Sequence, residues 1–122
     1  MIYEHFIVAS DDDCELWATV VAGFDDDKNF VVQFEEQLYT YPHTKWVERD
    51  TAILDRPNTE TLSRRLRVPI TSLPEAISDR FFDDYPSYSA DDVKSFFQEI
   101  LDFILSKGAH FRINREEFTK RY

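Results

Sequence analysis

The chain has 122 residues, with 24 acidic and 14 basic side chains, a net charge of −10, and eleven Phe, six Tyr and two Trp. This length and aromatic content predict one compact domain with its own core, and they exclude a chain that is disordered by composition. The acidity argues against direct binding to nucleic acid or anionic membranes, and a single cysteine, Cys14, excludes an intramolecular disulfide.

The negative charge is concentrated in one half of the sequence. Residues 1–61 hold 14 acidic and four basic side chains, whereas residues 62–122 hold ten of each. An acidic surface of this kind attracts basic protein surfaces. The amino terminus lacks the cationic start and long apolar run of a secretory signal, and no window reaches the about 18–20 apolar residues of a membrane span. We therefore expect a cytoplasmic protein.

The first half predicts an antiparallel β-meander of three to four strands. Residues 2–9 alternate weakly, and residues 15–24 alternate clearly, with Leu16, Ala18, Val20, Ala22 and Phe24 on one face. A polar connection over residues 25–29 has hairpin length, and alternation resumes over 30–36. A fourth strand is expected within 37–48, where β-favouring aromatic side chains are frequent.

The second half predicts helices. Residues 59–67 can form a short helix, and Ser72, Pro74 and Glu75 predict a capped helix that runs to about residue 82. After Gly108, residues 109–113 are expected to form a short strand. Asn114 with Glu117 then resembles a capping box, which predicts a terminal helical turn.

The clearest helix prediction covers residues 90–107. Ser89 is a favourable N-cap, and apolar side chains recur at helical spacing: Val93, Phe96, Phe97, Ile100, Leu101 and Ile104. This helix is long enough to cover the apolar face of the meander. The sequence therefore predicts an α+β fold in a single domain spanning 1–122, with residues 1–50 mainly β, residues 56–122 mainly α, and the N-terminal meander packed against the C-terminal helices.

Motifs that carry chemistry are lacking in this sequence. His5, His43 and His110 are far apart and have no metal-ligand spacing, and the two triple-aspartate runs lack the alternation and glycine of a calcium loop. Gly23 and Gly108 are the only glycines, so no glycine-rich phosphate loop exists. We predict no catalytic residue, no metal site and no cofactor, and an enzyme built on His43 is the least supported hypothesis.

Aromatic residues that lie among carboxylates are the best candidates for contact with a partner. Rings fill pockets on a partner, and acids steer its approach and pair with Lys or Arg. The predicted partner-binding residues are Asp11, Asp12, Asp13, Asp25, Asp26, Asp27, Glu35, Glu36, Tyr39, Tyr41, Trp46, Asp83, Asp84, Tyr85 and Tyr88.

In size, charge and expected architecture, though not in particular residues, the chain resembles bacterial immunity proteins that neutralise toxins. The resemblance implies an inhibitor that covers the active site of a basic toxin, such as a nuclease. Two alternatives remain open at this stage. One is a phage-type anti-defence protein or nucleic-acid mimic, which would compete with nucleic acid for a DNA-binding protein. The other is a non-catalytic adaptor subunit, whose binding would depend on shape more than on charge.

Overall fold

A computed structural model describes residues 2–10, 16–40, 43–81 and 89–121. It contains five β-strands, three α-helices and one turn of 3-10 helix. The strands are β1 (Ile2–Ala9), β2 (Leu16–Phe24), β3 (Phe30–Thr40), β4 (Thr44–Leu54) and β5 (Arg112–Arg121). The helices are α1 (Arg56–Leu66), α2 (Leu73–Arg80) and α3 (Ala90–Ser106), with the 3-10 turn at Ile70–Ser72.

The strands form one antiparallel sheet in the order β1-β2-β3-β4-β5. All of the helices lie between β4 and β5 in the chain, yet these two strands are neighbours in the sheet. The predicted α+β fold with an N-terminal meander is confirmed. No helix in the described part of the chain is long and apolar enough to cross a membrane.

The core lies between the helices and one face of the sheet. Of the alternating residues predicted on β2, Ala18, Val20, Ala22 and Phe24 are buried and Leu16 is partly buried; Phe30, Val32 and Phe34 on β3 are buried as well. From α3, Val93, Phe97, Ile100 and Ile104 enter the same core, and the ring of Phe97 stacks on that of Phe34 with centroids 5.5 Å apart. The apolar face predicted for the central helix is therefore the face that packs on the sheet.

Capping explains where two of the helices begin. At α3 the Ser89 hydroxyl accepts from the Asp92 N–H at 3.2 Å, and the Asp92 carboxylate accepts from the Ser89 N–H at 3.0 Å. At α1 the carboxylate of Asp55 accepts from the Asn58 N–H at 3.1 Å. Ser72 is the N-cap of α2, as predicted, but it also ends the 3-10 turn and its side chain makes no cap hydrogen bond, so the predicted capping box is not formed.

The strand predictions need two corrections. Residues 37–40 continue β3, and β4 extends to Leu54, beyond the fourth strand expected within 37–48. At the C-terminus the predicted helical turn is wrong, because Asn114 and Glu117 lie within β5, opposite Thr51 and Glu48. Pairing with β4 determines the conformation of this segment. Its side chains are exposed on both faces, so its sequence lacks the apolar alternation that identifies a strand.

The helices cover the sheet unevenly. Helix α2 packs on β1 and β2, α3 packs mainly on β2 and then on β3, and α1 touches β4. At the edge of the sheet, β5 is exposed along nearly its whole length. On the helix-side face of β4, Asp50, Ala52 and Leu54 are buried and Thr44, Trp46 and Glu48 are partly buried, whereas the same face of β5 is open to solvent.

Candidate functional site

The open part of the helix-side face is formed by two strands. On β4, Ala52 and Leu54 face the core, so alternation places Asp50, Glu48 and Trp46 on the same face. The partners of these three residues on β5 are Arg115, Glu117 and Thr119. We call this surface, the helix-side face of residues 44–50 and 113–121, the β4–β5 shelf.

Three glutamates cross the sheet in one line. Glu36 on β3 lies opposite Glu48 on β4, and Glu48 lies opposite Glu117 on β5. Directly opposite residues of antiparallel strands share a face, and neighbouring strands are about 4.8 Å apart. These three residues, here called the carboxylate row, therefore span about 10 Å between their outer Cα atoms.

Beside the row, a buried carboxylate is held by an arginine. Asp50 is 8% exposed and accepts two hydrogen bonds from Arg115, at 2.8 Å from Nε and 3.2 Å from the terminal nitrogen. The Nε atom of Arg115 is also 3.9 Å from Glu48. The hydrogen bond and charge of Asp50 raise the pKa of Arg115, so its guanidinium stays charged. Arg115 is thus already engaged by the sheet that it lies on.

The first turn of α3 adds charge at the β3 end of the row. Burial raises the pKa of Glu36 above its ordinary 4.5; Lys94 lowers it in part, and the charges of Glu48, Asp91 and Asp50 raise it further. The raised pKa shows that a proton is held more readily here than on an isolated glutamate. Like charges have been brought together at a partly buried position.

The balance of charge at this surface is negative. The surface carries five carboxylates, those of Glu36, Glu48, Asp50, Asp91 and Glu117, and three cations, Lys94, Arg115 and, at the end of β5, Arg121. The carboxylates are distributed along strands rather than converging on one point: among the described residues, no group of three or more His, Cys, Asp or Glu side chains could hold a metal ion. The arrangement suits several ammonium or guanidinium groups better than one compact ion.

The predicted partner-binding residues divide into separate groups. Asp25, Asp26 and Asp27 lie in the β2–β3 turn, where Asp25 accepts from the N–H groups of Asp27 and Asn29 at 3.0 and 2.9 Å. Asp25 therefore stabilises the turn, while Asp26 and Asp27 are exposed. Six residues separate the start of β3 from Glu36, so the turn lies about 20 Å from the carboxylate row.

Glu35 and Glu36 point to opposite faces of the sheet. Glu35 pairs with Arg49 at 2.9 Å, and the guanidinium of Arg49 lies 5.4 Å from the ring centroid of Phe118. Tyr39 is on the same face as Glu35, and its hydroxyl donates to Gln37 at 3.0 Å. The charges of Glu35 and Arg49 offset each other, in contrast to the net negative charge around Glu36.

Of the predicted aromatic residues, Trp46 lies at the shelf, next to the carboxylate row and opposite Leu38 and Thr119. Tyr41, Asp11, Asp12, Asp13, Asp83, Asp84, Tyr85 and Tyr88 lie outside the described residues. From the sequence, Glu48 and Asp91 stand out only as acidic neighbours of aromatic residues, and Glu117 as a capping residue. The missed signal was the alternation of Glu48 and Asp50 with the core residue Ala52 along one strand.

A second concave surface lies where β4 ends and α1 begins. A groove of about 470 Å³ is lined by Asn29, Asp55, Asn58, His110 and Arg112, together with apolar atoms of Ile53 and Phe111. Several of its polar groups bond each other: Asn58 accepts from the His110 N–H at 2.8 Å and donates to Asp55 at 2.7 Å. These bonds join α1 to the segment before β5, so they have a structural role.

Comparison of this chain with protein-family models, with curated proteins and with solved structures finds no match.

Proposed function

We propose that this protein is a small acidic inhibitor of the immunity or antitoxin kind, which neutralises a basic toxin by covering its active site. The observation that carries the proposal is the carboxylate row on the open β4–β5 shelf. Glu36, Glu48 and Glu117 stand side by side where the described helices end, with Glu36 partly buried beside α3, Glu48 partly buried and Glu117 exposed.

The row is unfavourable in the free protein. Like charges directly opposite each other on neighbouring strands destabilise a sheet, and Lys94, Arg115 and Arg121 only partly compensate the five carboxylates. A basic surface placed on the shelf reverses the sign of this interaction, because each added ammonium or guanidinium group is attracted by several carboxylates. Part of the electrostatic cost of folding is thereby recovered on binding.

The overall charge supports the same proposal. A net charge of −10 produces a long-range field that speeds the approach of a basic partner and weakens as salt is added. Enzymes that act on nucleic acids carry basic surfaces to bind phosphate, and an acidic protein seated there excludes the substrate. This mode of inhibition requires no catalytic group on the inhibitor.

The test compares the wild type with a variant whose shelf charge is reversed. The wild type, the double variant Glu48→Lys/Glu117→Lys and the control variant Glu75→Lys/Glu99→Lys, which reverses exposed charges on α2 and α3, are immobilised and exposed to lysate of the source cells. Bound proteins are eluted with increasing salt, identified by mass, and assayed for nuclease or other toxic activity with each variant added back.

We expect the wild type and the control variant to retain one basic partner and to inhibit its activity stoichiometrically. The shelf variant should do neither. Equal inhibition by the shelf variant would contradict the proposal. A partner whose DNA binding is blocked, with no toxic activity of its own, would instead favour the nucleic-acid mimic.

A further inference from the structure

The helices in the described part of the chain cover only part of the sheet. Helices α2 and α3 cover β1 to β3, and α1 contacts the Leu54 end of β4, so among the described residues the cover is thinnest over β5 and the Thr44–Glu48 part of β4. Two strands occupy about 10 Å, and an α-helix with its side chains is about 10–12 Å across. The β4–β5 shelf therefore has room for one more helix beside α3.

One flank of α3 forms the wall of this space. At 100° per residue, Asp91, Lys94, Gln98, Asp102 and Leu105 share one side of the helix. Helix α3 contacts β3, and Asp91 and Lys94 both act on the pKa of Glu36 on that strand, so this flank lies on the β3 side of the helix. The opposite flank faces α2, because Phe103 packs edge-on against Phe81, directly after α2, with ring centroids 5.5 Å apart.

Apolar side chains are exposed toward the far end of the shelf. Ile113 is 46% exposed and lies on the shelf opposite the fully buried Ala52, and Leu105 on the flank of α3 is 45% exposed. Ile113 and Glu117 are four positions apart on β5, which is about 13 Å. The surface is therefore apolar at Ile113 and acidic at the carboxylate row, and Arg121 lies beyond the row at the end of β5.

We propose that the occupant of the β4–β5 shelf is a basic amphipathic helix of the partner protein, which completes the helical layer. Its Lys or Arg side chains lie over the carboxylate row, and apolar side chains about nine residues along the helix, or about 13 Å at 1.5 Å per residue, cover Leu105 and Ile113. The inference rests on the proposed function, since it assigns a secondary structure to the basic partner.

Charge favours a different protein over a second copy of this chain. Each copy carries a net charge of −10, which opposes self-association, and the shelf itself is negative. A basic helix meets complementary charge at the carboxylate row and apolar side chains at Leu105 and Ile113. One amphipathic helix can therefore contact both the carboxylates and the apolar side chains of the shelf.

The experiment uses two synthetic peptides of identical composition. The first is an alanine-based helix with Lys at positions i and i+4 and Leu at i+8 and i+11, so that all four side chains share one face. The second has the same residues in an order that scatters them around the helix. The protein used carries the substitution Trp17→Phe, which removes the tryptophan on the opposite face of the sheet. Trp46, beside the carboxylate row, is then the only tryptophan.

We expect the ordered peptide to change the fluorescence of Trp46 and to gain helical circular dichroism on binding. The scrambled peptide should bind at least about ten-fold more weakly, because it cannot place its charges and its apolar side chains on the shelf together. Glu117→Lys and Ile113→Asp should each weaken the ordered peptide by a similar factor, whereas the control Glu99→Lys on the exposed side of α3 should leave its affinity unchanged.

Equal binding of the two peptides, or binding without a gain of helix, would overturn the inference. Unchanged affinity of the Ile113→Asp variant would also overturn it. These outcomes are distinct from failure of the proposed function, because the capture experiment uses the natural partner whatever its structure. A captured partner that is inhibited through the carboxylate row but contacts it with a strand or loop would refute the helix and retain the inhibitor.

Discussion

The two halves of the sheet carry different kinds of side chain on the face that the helices pack against. Over residues 18–24 of β2 and 30–34 of β3 the helix-side positions are filled by Ala, Val and Phe, and α2 and α3 bury them. On β4 the same side changes from Leu54 and Ala52 to Asp50 and Glu48 within six positions, where the helical cover ends. The covered half is complete within the chain. The shelf carries charge and apolar surface that a second molecule would complement.

The covered half should be the part that determines stability, and the largest effect is expected at its centre. Phe97→Asp places a carboxylate against the ring of Phe34 in the core. Loss of a buried Phe alone costs about 3–5 kcal/mol, and the unpaired charge adds to it, so the domain should unfold. Circular dichroism and chemical denaturation measure this, with Ser95→Asp on the exposed side of α3 as the control. A Phe97→Asp protein that melts like the wild type would show that this face of α3 is not the core.

A smaller loss is expected where α1 joins the covered end of β4. The Thr59 hydroxyl is buried, accepts from the Phe30 N–H at 3.2 Å and donates to the Leu54 carbonyl at 3.0 Å. Thr59→Val keeps the shape but leaves two buried backbone groups without a partner, which should cost about 1–3 kcal/mol in the free energy of unfolding. Thr61→Val, on a less buried part of α1, is the matched control, and an equal loss in both variants would contradict the role given to Thr59.

At the boundary between the two halves, the cap of α3 should contribute about 1 kcal/mol. Ser89→Ala removes the acceptor for the Asp92 N–H and breaks the capping box. Urea denaturation should show a lower midpoint with an unchanged slope, and Ser95→Ala in the middle of the same helix should not show this loss. Equal stability of Ser89→Ala and the wild type would mean that water replaces the cap at no cost.

The smallest expected effect is a gain in stability, and it comes from removing one charge of the carboxylate row. Because the folded-state pKa of Glu36 is raised above 4.5, the folded protein binds this proton more readily than the unfolded chain does. The contribution of this site to stability therefore falls as pH rises from about 4.5 through the raised pKa. Glu36→Gln should stabilise the protein at pH 7, by less than about 1 kcal/mol, and the gain should vanish at lower pH.

The control for this prediction is the neighbouring residue on the opposite face. Glu35→Gln removes the ion pair with Arg49 and should give no stabilisation at pH 7. Denaturation curves of both variants between pH 4 and pH 8 test the difference. A Glu36→Gln protein that is less stable than the wild type at neutral pH would show that Lys94 outweighs the neighbouring carboxylates.

The same contrast explains how much of the fold could be predicted. Strands β2 and β3 and helix α3 each bury one face, so alternation and helical spacing are sufficient to identify them in the sequence. Strand β5 buries little on either face, and its charged sequence shows no alternation of apolar and polar residues. Its conformation follows from pairing with β4, which is a tertiary interaction that local sequence does not encode.

The candidate site was only partly predictable for a related reason. Glu36 and Trp46 were identified from the sequence because they lie among other acids and aromatics. Glu48 and Glu117 are 69 residues apart, and only the register of β4 with β5 places them side by side. Glu35 and Glu36 were both predicted to contact the partner, although adjacent residues of a strand point to opposite faces of the sheet.

Side-chain footprinting of the complex tests the central claim most directly. Hydroxyl radicals label exposed aromatic and aliphatic side chains, and the two faces of the sheet carry matched reporters. Trp46 and Ile113 lie on the shelf, while Trp17, 36% exposed, and Phe6, 58% exposed, lie on the opposite face. With the inhibited basic partner bound, labelling of Trp46 and Ile113 should fall while that of Trp17 and Phe6 is unchanged. Protection of Trp17 and Phe6, with Trp46 and Ile113 still labelled as in the free protein, would contradict the assignment of the shelf as the binding surface.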